Sequence, residues 1–131
     1  MNNTVCLCGS TKFLEQFNEA NVELTKRGLS VISISMCLPK NDQEDEKEAA
    51  LKELLDLVHL NKILCSDAVF VVGDGYIGRS TAREILWADM HGKPIVAWRG
   101  CHHNWDTAAN NVKHGSWGTD IVPTARRVLG L

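Results

Sequence analysis

Apolar and polar positions alternate along this chain with two periods. Thr4–Cys8 is a short apolar run closed by Gly9-Ser10, the pattern of a buried strand. Phe13, Phe17, Ala20 and Leu24 then recur at helical spacing, with Ser10 or Thr11 able to cap the helix and Gly28 to stop it. Leu29–Ser35, "LSVISIS", is β-branched and predicts a second strand. The charged stretch "KNDQEDEKE" at 40–48 reads as a loop leading into a helix from Ala49 to Ile63, with Leu51, Leu54, Leu55 and Val58 on one face. Asp67 introduces "AVFVVG", a third strand. Ser80 or Thr81 opens a helix that Gly92 and Pro94 end, and "PIVAW" is a fourth strand.

The segment 100–122, "GCHHNWDTAANNVKHGSWGTD" and its flanks, shows no clear period and is expected to be a long loop with a helical turn near 107–112. A short helix over 123–130 closes the chain. The order β-α-β-α-β-α-β implies a mostly parallel sheet of four or five strands covered by helices on both faces. In such sheets ligands bind beyond the carboxyl ends of the strands. Gly9-Ser10, the 36–48 loop, Gly73–Ser80 and the segment after Trp98 gather there.

With 131 residues, 44% of them hydrophobic, the chain reads as one domain over 1–131 with a real core. A net charge of −2 gives no general pull toward a nucleic acid polymer or an anionic membrane, and no apolar run is long enough to span a bilayer. Asn2, Asn3 and Thr4 do not resemble an export signal, so a cytoplasmic location is expected. Cys6, Cys8, Cys37, Cys65 and Cys101 lack paired spacing and read as reduced thiols. Cys6 and Cys8 share one strand face. A zinc site recruiting Cys101, His102 and His103 has no Cys-x-x-Cys pair behind it.

Gly73-Asp74-Gly75-Tyr76-Ile77-Gly78-Arg79-Ser80 nearly spells a phosphate-cradling P-loop. It has arginine where the motif requires lysine, and no other strand ends in an aspartate suited to magnesium. Triphosphate hydrolysis is therefore set aside. Two helix N-termini still present free amides to an anion: Gly9-Ser10-Thr11-Lys12 and Gly78-Arg79-Ser80-Thr81. Plain N-capping by Ser10 and Ser80 explains each of them equally well. Glu84 lies one turn into the third helix among Ala82, Ile85, Leu86 and Ala88, a setting for nucleophilic or acid–base chemistry, or for a simple interaction with the helix dipole. Asp67, just before the third strand, is expected to enter the same cleft.

The ordered set "CLCGSTKF", "SDAVFVV" and "STAREILWADMHGKPIV" resembles the nucleoside 2-deoxyribosyltransferase-like superfamily, which includes the 2'-deoxynucleoside 5'-monophosphate N-glycosidases. The likeness spans residues 4–98, about three-quarters of the chain. It implies a single Rossmann/flavodoxin-like three-layer α/β domain and cleavage of an N-glycosidic bond in two steps. The family glutamate maps onto Glu84, which attacks C1' of the deoxyribose. The glycosyl ester is then intercepted by a second base or by water. The family aspartate maps onto Asp67, orienting the base or handling its proton, and Gly9 and Ser10 line the sugar or its 5'-phosphate.

No metal or redox cofactor is implied. Where the family commonly has a tyrosine in its first strand this chain has Cys6, and Tyr76, the single tyrosine, is expected to reach in from the glycine loop. Asp74 stands where many transferases carry a loop aspartate, at a longer spacing.

Lys12, Gly75, Gly78, Arg79 and Ser80 complete the expected substrate-binding set. The two cations suit a 5'-phosphate and hence the hydrolase alternative. The resemblance also implies a homodimer or higher homo-oligomer, with Asn110, Asn111, Trp105 and Trp117 of the tail placed to enter a neighbour's site. A non-catalytic nucleotide-sensing module would share all of this except dependence on Glu84.

Overall fold

The computed structural model describes residues 2–33, 46–73, 75–97, 104–115 and 121–131. Among these residues four strands, β1 (Thr4–Cys8), β2 (Ser30–Ile32), β3 (Ala68–Val71) and β4 (Ile95–Ala97), form one sheet in the order β2-β1-β3-β4. Every pairing is parallel, with Cys8 opposite Val71 and Val71 opposite Ala97. Among the described residues five helices accompany them: α1 (Leu14–Lys26, after a 3₁₀ turn at Thr11–Phe13), α2 (Glu46–Leu64), α3 (Arg79–Met90), α4 (Trp105–His114) and α5 (Val122–Val128).

Strand alternation divides the core into two layers. Val5, Leu7, Phe70 and Val72 point toward α1 and α4, where Phe17, Ala20, Leu24, Ala108 and Val112 meet them. Cys6, Cys8, Val69, Val71 and Ile95 point the other way, onto Ile63 of α2, Ala82, Ile85 and Ala88 of α3, and Ala125 of α5. This is the three-layer α/β architecture that the alternation predicts. No helix among the described residues is long and apolar enough to cross a membrane.

Four sequence expectations need correcting. The second strand is Ser30–Ile32, shorter than 29–35 at its start, and residues 34–35 lie outside the described residues. The third helix begins at Arg79 with Gly78 as its N-cap and no side-chain cap, so Ser80 and Thr81 lie inside the first turn. Residues 105–114 form a ten-residue helix rather than a loop: Asn104 Oδ1 accepts from the Thr107 amide at 3.1 Å, and Gly115 ends it in the left-handed conformation. The leucine face of α2 is mostly outward: Leu51, Leu54 and Val58 are exposed and Leu55 is half-buried, while His59 and Ile63 make the buried side.

Candidate active site

From β1 the chain moves outward to β2, then returns past β1 to β3. The loops after Cys8 and Val71 therefore leave the sheet side by side and in opposite directions, the place where open parallel sheets hold ligands. Gly9 makes this contact possible. Its φ is +143°, and a Cβ there would lie 2.6 Å from Val72 Cγ2 and 2.9 Å from the Val72 carbonyl oxygen. Gly73, φ +102°, donates its amide to Gln16 Oε1 at 2.7 Å and packs against the Phe13 ring.

The two helix-opening loops thus meet as expected. Lys12 Nζ sits 3.3 Å from the centre of the Tyr76 ring, and Phe13 lies against the other aromatic at 6.0 Å between centroids. Ser10 Oγ faces the Lys12 amide at 3.4 Å. Tyr76 is half-exposed and folds back toward Gly78, whose Cβ position would be 3.6 Å from the Tyr76 hydroxyl. Gly75 and Arg79 are exposed, and Asp74 lies outside the described residues.

Glu84 is deeper. Thr81, Ala82, Glu84, Ile85 and Ala88 form the buried stripe of α3, so the carboxyl is carried into the sheet-facing side of its helix. It is 8% exposed, and Oε2 has no hydrogen-bond partner. Oε1 lies 3.6 Å from His59 Nε2, which is in turn 3.3 Å from Cys8 Sγ at the carboxyl end of β1. Burial is the main reason that the Glu84 carboxyl is pushed up from its ordinary 4.5 to about 8, with Cys6 and Asp56 adding to it. Burial, then the Lys62 charge, pushes His59 down from 6.5 to about 4. Near neutral pH the two groups are therefore an uncharged acid beside an uncharged imidazole rather than an ion pair.

A cavity of about 270 Å³ opens beside this carboxyl between α2 and α3, lined by Glu53, Asp56, Leu57, Leu60, Ser80, Arg83 and Glu84. Trp87 Nε1 donates to the Leu60 carbonyl at 3.2 Å and holds the two helices together there. Ser80 lines the cavity. Arg83, one residue before the glutamate, supplies a cation that the sequence reading had not singled out.

Asp67 is not in this site. Its Oδ2 accepts the Asn3 and Thr4 amides at 2.9 and 3.0 Å, which lowers its pKa and ties the amino end of β1 to the approach of β3. Cys8, where Glu84 lies, is at the opposite end of the strand, roughly 13 Å away at about 3.3 Å per residue. The expected partnership of the two carboxylates fails on this count, because a residue preceding a parallel strand emerges at the edge opposite the ligand cleft. Asn110 is exposed on α4, on the far side of the sheet from α3, and cannot reach Glu84 of its own chain. Trp105 is half-buried against Phe70 at 5.5 Å. Trp117 lies outside the described residues.

His59 and Cys8 were invisible as a pair because 51 positions separate them. One signal existed: His59 and Ile63 are one turn apart on the helix, opposite a strand whose inward residues are cysteines.

No protein-family model matches this chain, and no curated protein matches it in sequence. Among solved structures, a 2-deoxyribosyltransferase from the psychrotolerant bacterium Bacillus psychrosaccharolyticus matches 93% of this chain and 90% of its own, with a TM-score of 0.59 and 19% sequence identity. The chain shares that enzyme's fold. The CMP N-glycosidase BcmB of Clostridium botulinum is also similar, at TM-score 0.47 and 17% identity, over 87% of this chain and 83% of its own.

Proposed function

We propose that the protein is a nucleoside 2-deoxyribosyltransferase-like enzyme that cleaves the N-glycosidic bond of a deoxynucleoside or its 5'-monophosphate through a covalent glycosyl ester on Glu84. The observation that carries this reading is a buried carboxyl, with one oxygen unpartnered, beside a cavity at the carboxyl edge of a parallel sheet. Its fold is that of a solved 2-deoxyribosyltransferase, and the motif around Glu84 resembles that superfamily.

In this mechanism, ionised Glu84 bonds to C1' as the C1'–N bond breaks and its electron pair leaves with the base. Water or a second base then displaces the carboxylate from C1', restoring Glu84 with overall retention. Burial serves the chemistry: a carboxylate stripped of water is a stronger nucleophile toward an oxocarbenium-like centre, and the apolar wall excludes bulk solvent from the ester. Ser80 and Arg83 line the cavity and would hold sugar or phosphate oxygens. Lys12, Tyr76, Ser10 and Gly9 form a rim at the adjoining loops. Asp67 has no chemical part in this scheme.

The hydrolase alternative, acting on 5'-monophosphates, is favoured by one feature: Arg83, a cation beside Ser80 in the cavity that Glu84 lines. Matched deoxynucleosides and deoxynucleoside monophosphates, incubated with and without an acceptor base, test the proposal through release of free base. Base exchange on nucleosides identifies the transferase, and release from monophosphates without an acceptor identifies the hydrolase. Tight nucleotide binding with neither reaction leaves a sensing module.

A further inference from the structure

Cys6 and Cys8 are two residues apart on β1 and project to the same face, where α2 lays His59 over them. All three are buried, and the two sulfurs and the imidazole nitrogen lie within 4.8 Å of one another. Glu84 Oε1 comes in from α3 at 3.6 Å from the same His59 Nε2 that is 3.3 Å from Cys8 Sγ. A tetrahedral zinc bound at about 2.3 Å to sulfur and about 2.0–2.2 Å to nitrogen and oxygen sets its donors roughly 3.3–3.8 Å apart. Two separations already fall in that range.

A second observation points to a ligand. Glu84 Oε2, the other oxygen of the carboxyl that faces His59, is buried with no hydrogen-bond partner, a costly arrangement that a carboxylate turned onto a cation relieves. The donor set decides the ion. Two sulfurs and an imidazole suit zinc-class metals and not magnesium or calcium, which require oxygen cages.

We propose that Cys6, Cys8, His59 and Glu84 bind one zinc-class divalent ion in a tetrahedral site, and that its occupancy withdraws Glu84 from chemistry. Binding deprotonates both thiols and the Glu84 carboxyl and releases those protons to solvent, with no change of oxidation state. The inhibitory half rests on Glu84 acting as the nucleophile; the binding half does not.

The test uses the full chain as a C37S/C65S/C101S variant, leaving Cys6 and Cys8 as its cysteines, stripped with chelator under reductant and titrated with Co²⁺. One equivalent should produce a thiolate-to-cobalt charge-transfer band with intense tetrahedral d–d absorption, and Zn²⁺ should erase both. Adding Cys8→Ser or His59→Gln should abolish the band while circular dichroism stays native. Should Cys8→Ser fail to fold, His59→Gln alone carries the comparison, because no thiolate is lost in it. Absence of a charge-transfer band, or a band unchanged by His59→Gln, overturns the site. With substrate present, one equivalent of Zn²⁺ should stop base release and chelator should restore it. A cobalt spectrum in a protein that never releases base keeps the metal site and rejects the glycosyl-transfer reading. Base release that continues at full zinc occupancy rejects the inhibitory half.

Discussion

The stability of a Glu84→Gln variant relative to wild type, both metal-free, should rise with pH. A carboxyl that titrates near 8 when folded and near its ordinary 4.5 when unfolded binds more protons in the folded state between those values. The native state is therefore fully favoured below pH 4.5 and loses stability as pH rises through about 8, where Glu84 finally ionises. At about 1.36 kcal/mol per pH unit, keeping this acid buried costs roughly 1 kcal/mol at pH 5 and about 3 kcal/mol at pH 7, relative to a group that does not titrate.

Glutamine brings its own unpartnered amide, a penalty of about 1–3 kcal/mol that does not vary with pH. Only the difference between pH values isolates ionisation. The titratable groups facing Glu84 (Cys6, Cys8, His59 and Asp56) are common to both proteins. Urea unfolding of wild type and Glu84→Gln in chelator at pH 5, 6 and 7 reads the gap directly. A change of about 2–3 kcal/mol across this range corresponds to roughly 1 M urea for a chain of this size. A gap that stays constant within about 0.5 kcal/mol would show that Glu84 is solvated, and the reasoning from burial would be wrong.

The same burial sets the pH dependence of turnover: kcat/KM for base release by the metal-free protein should climb with pH and level off near 8, as Glu84 reaches its nucleophilic form. A profile already flat from pH 5 would assign the chemistry elsewhere. Asp67→Ala should lower stability by about 1 kcal/mol, because two strand-end amides lose their acceptor in a place where water can partly replace it; base release at saturating substrate should not change. The Asp67 contribution is present above its unfolded pKa and is lost as pH falls through the depressed folded value, so the variant and wild type should converge in acid. Gly9→Ala should cost about 2 kcal/mol or more in urea unfolding, since a Cβ meets backbone as well as side chain at a positive φ.

Much of this fold was legible in the sequence because apolar alternation and helical spacing report burial directly. "TVCLC", "AVFV" and the α3 stripe leave few alternatives, and the glycine loops mark where strands end. The segment 105–114 misled for a physical reason: its stripe is built from Ala108, Ala109 and Val112, small side chains with weak contrast, although Asn104 and Gly115 announce both ends. The outward leucines of α2 misled in the opposite direction, since hydrophobicity alone does not say which side of a helix faces its own sheet. In the site, Glu84 stood out as an acid inside an apolar stripe. Asp67 was misplaced because proximity to a strand says nothing about which end of that strand holds the ligand. His59 could be found only in three dimensions.

The most direct test of the nucleophile is to trap it. Protein mixed with a deoxynucleoside or deoxynucleoside monophosphate, acid-quenched within milliseconds and digested, should yield one peptide heavier by a deoxyribosyl or phosphodeoxyribosyl group. Fragmentation should place that mass on Glu84, and Glu84→Gln should give neither adduct nor free base. Base release that persists in Glu84→Gln, or an adduct mapping to another residue, contradicts the account.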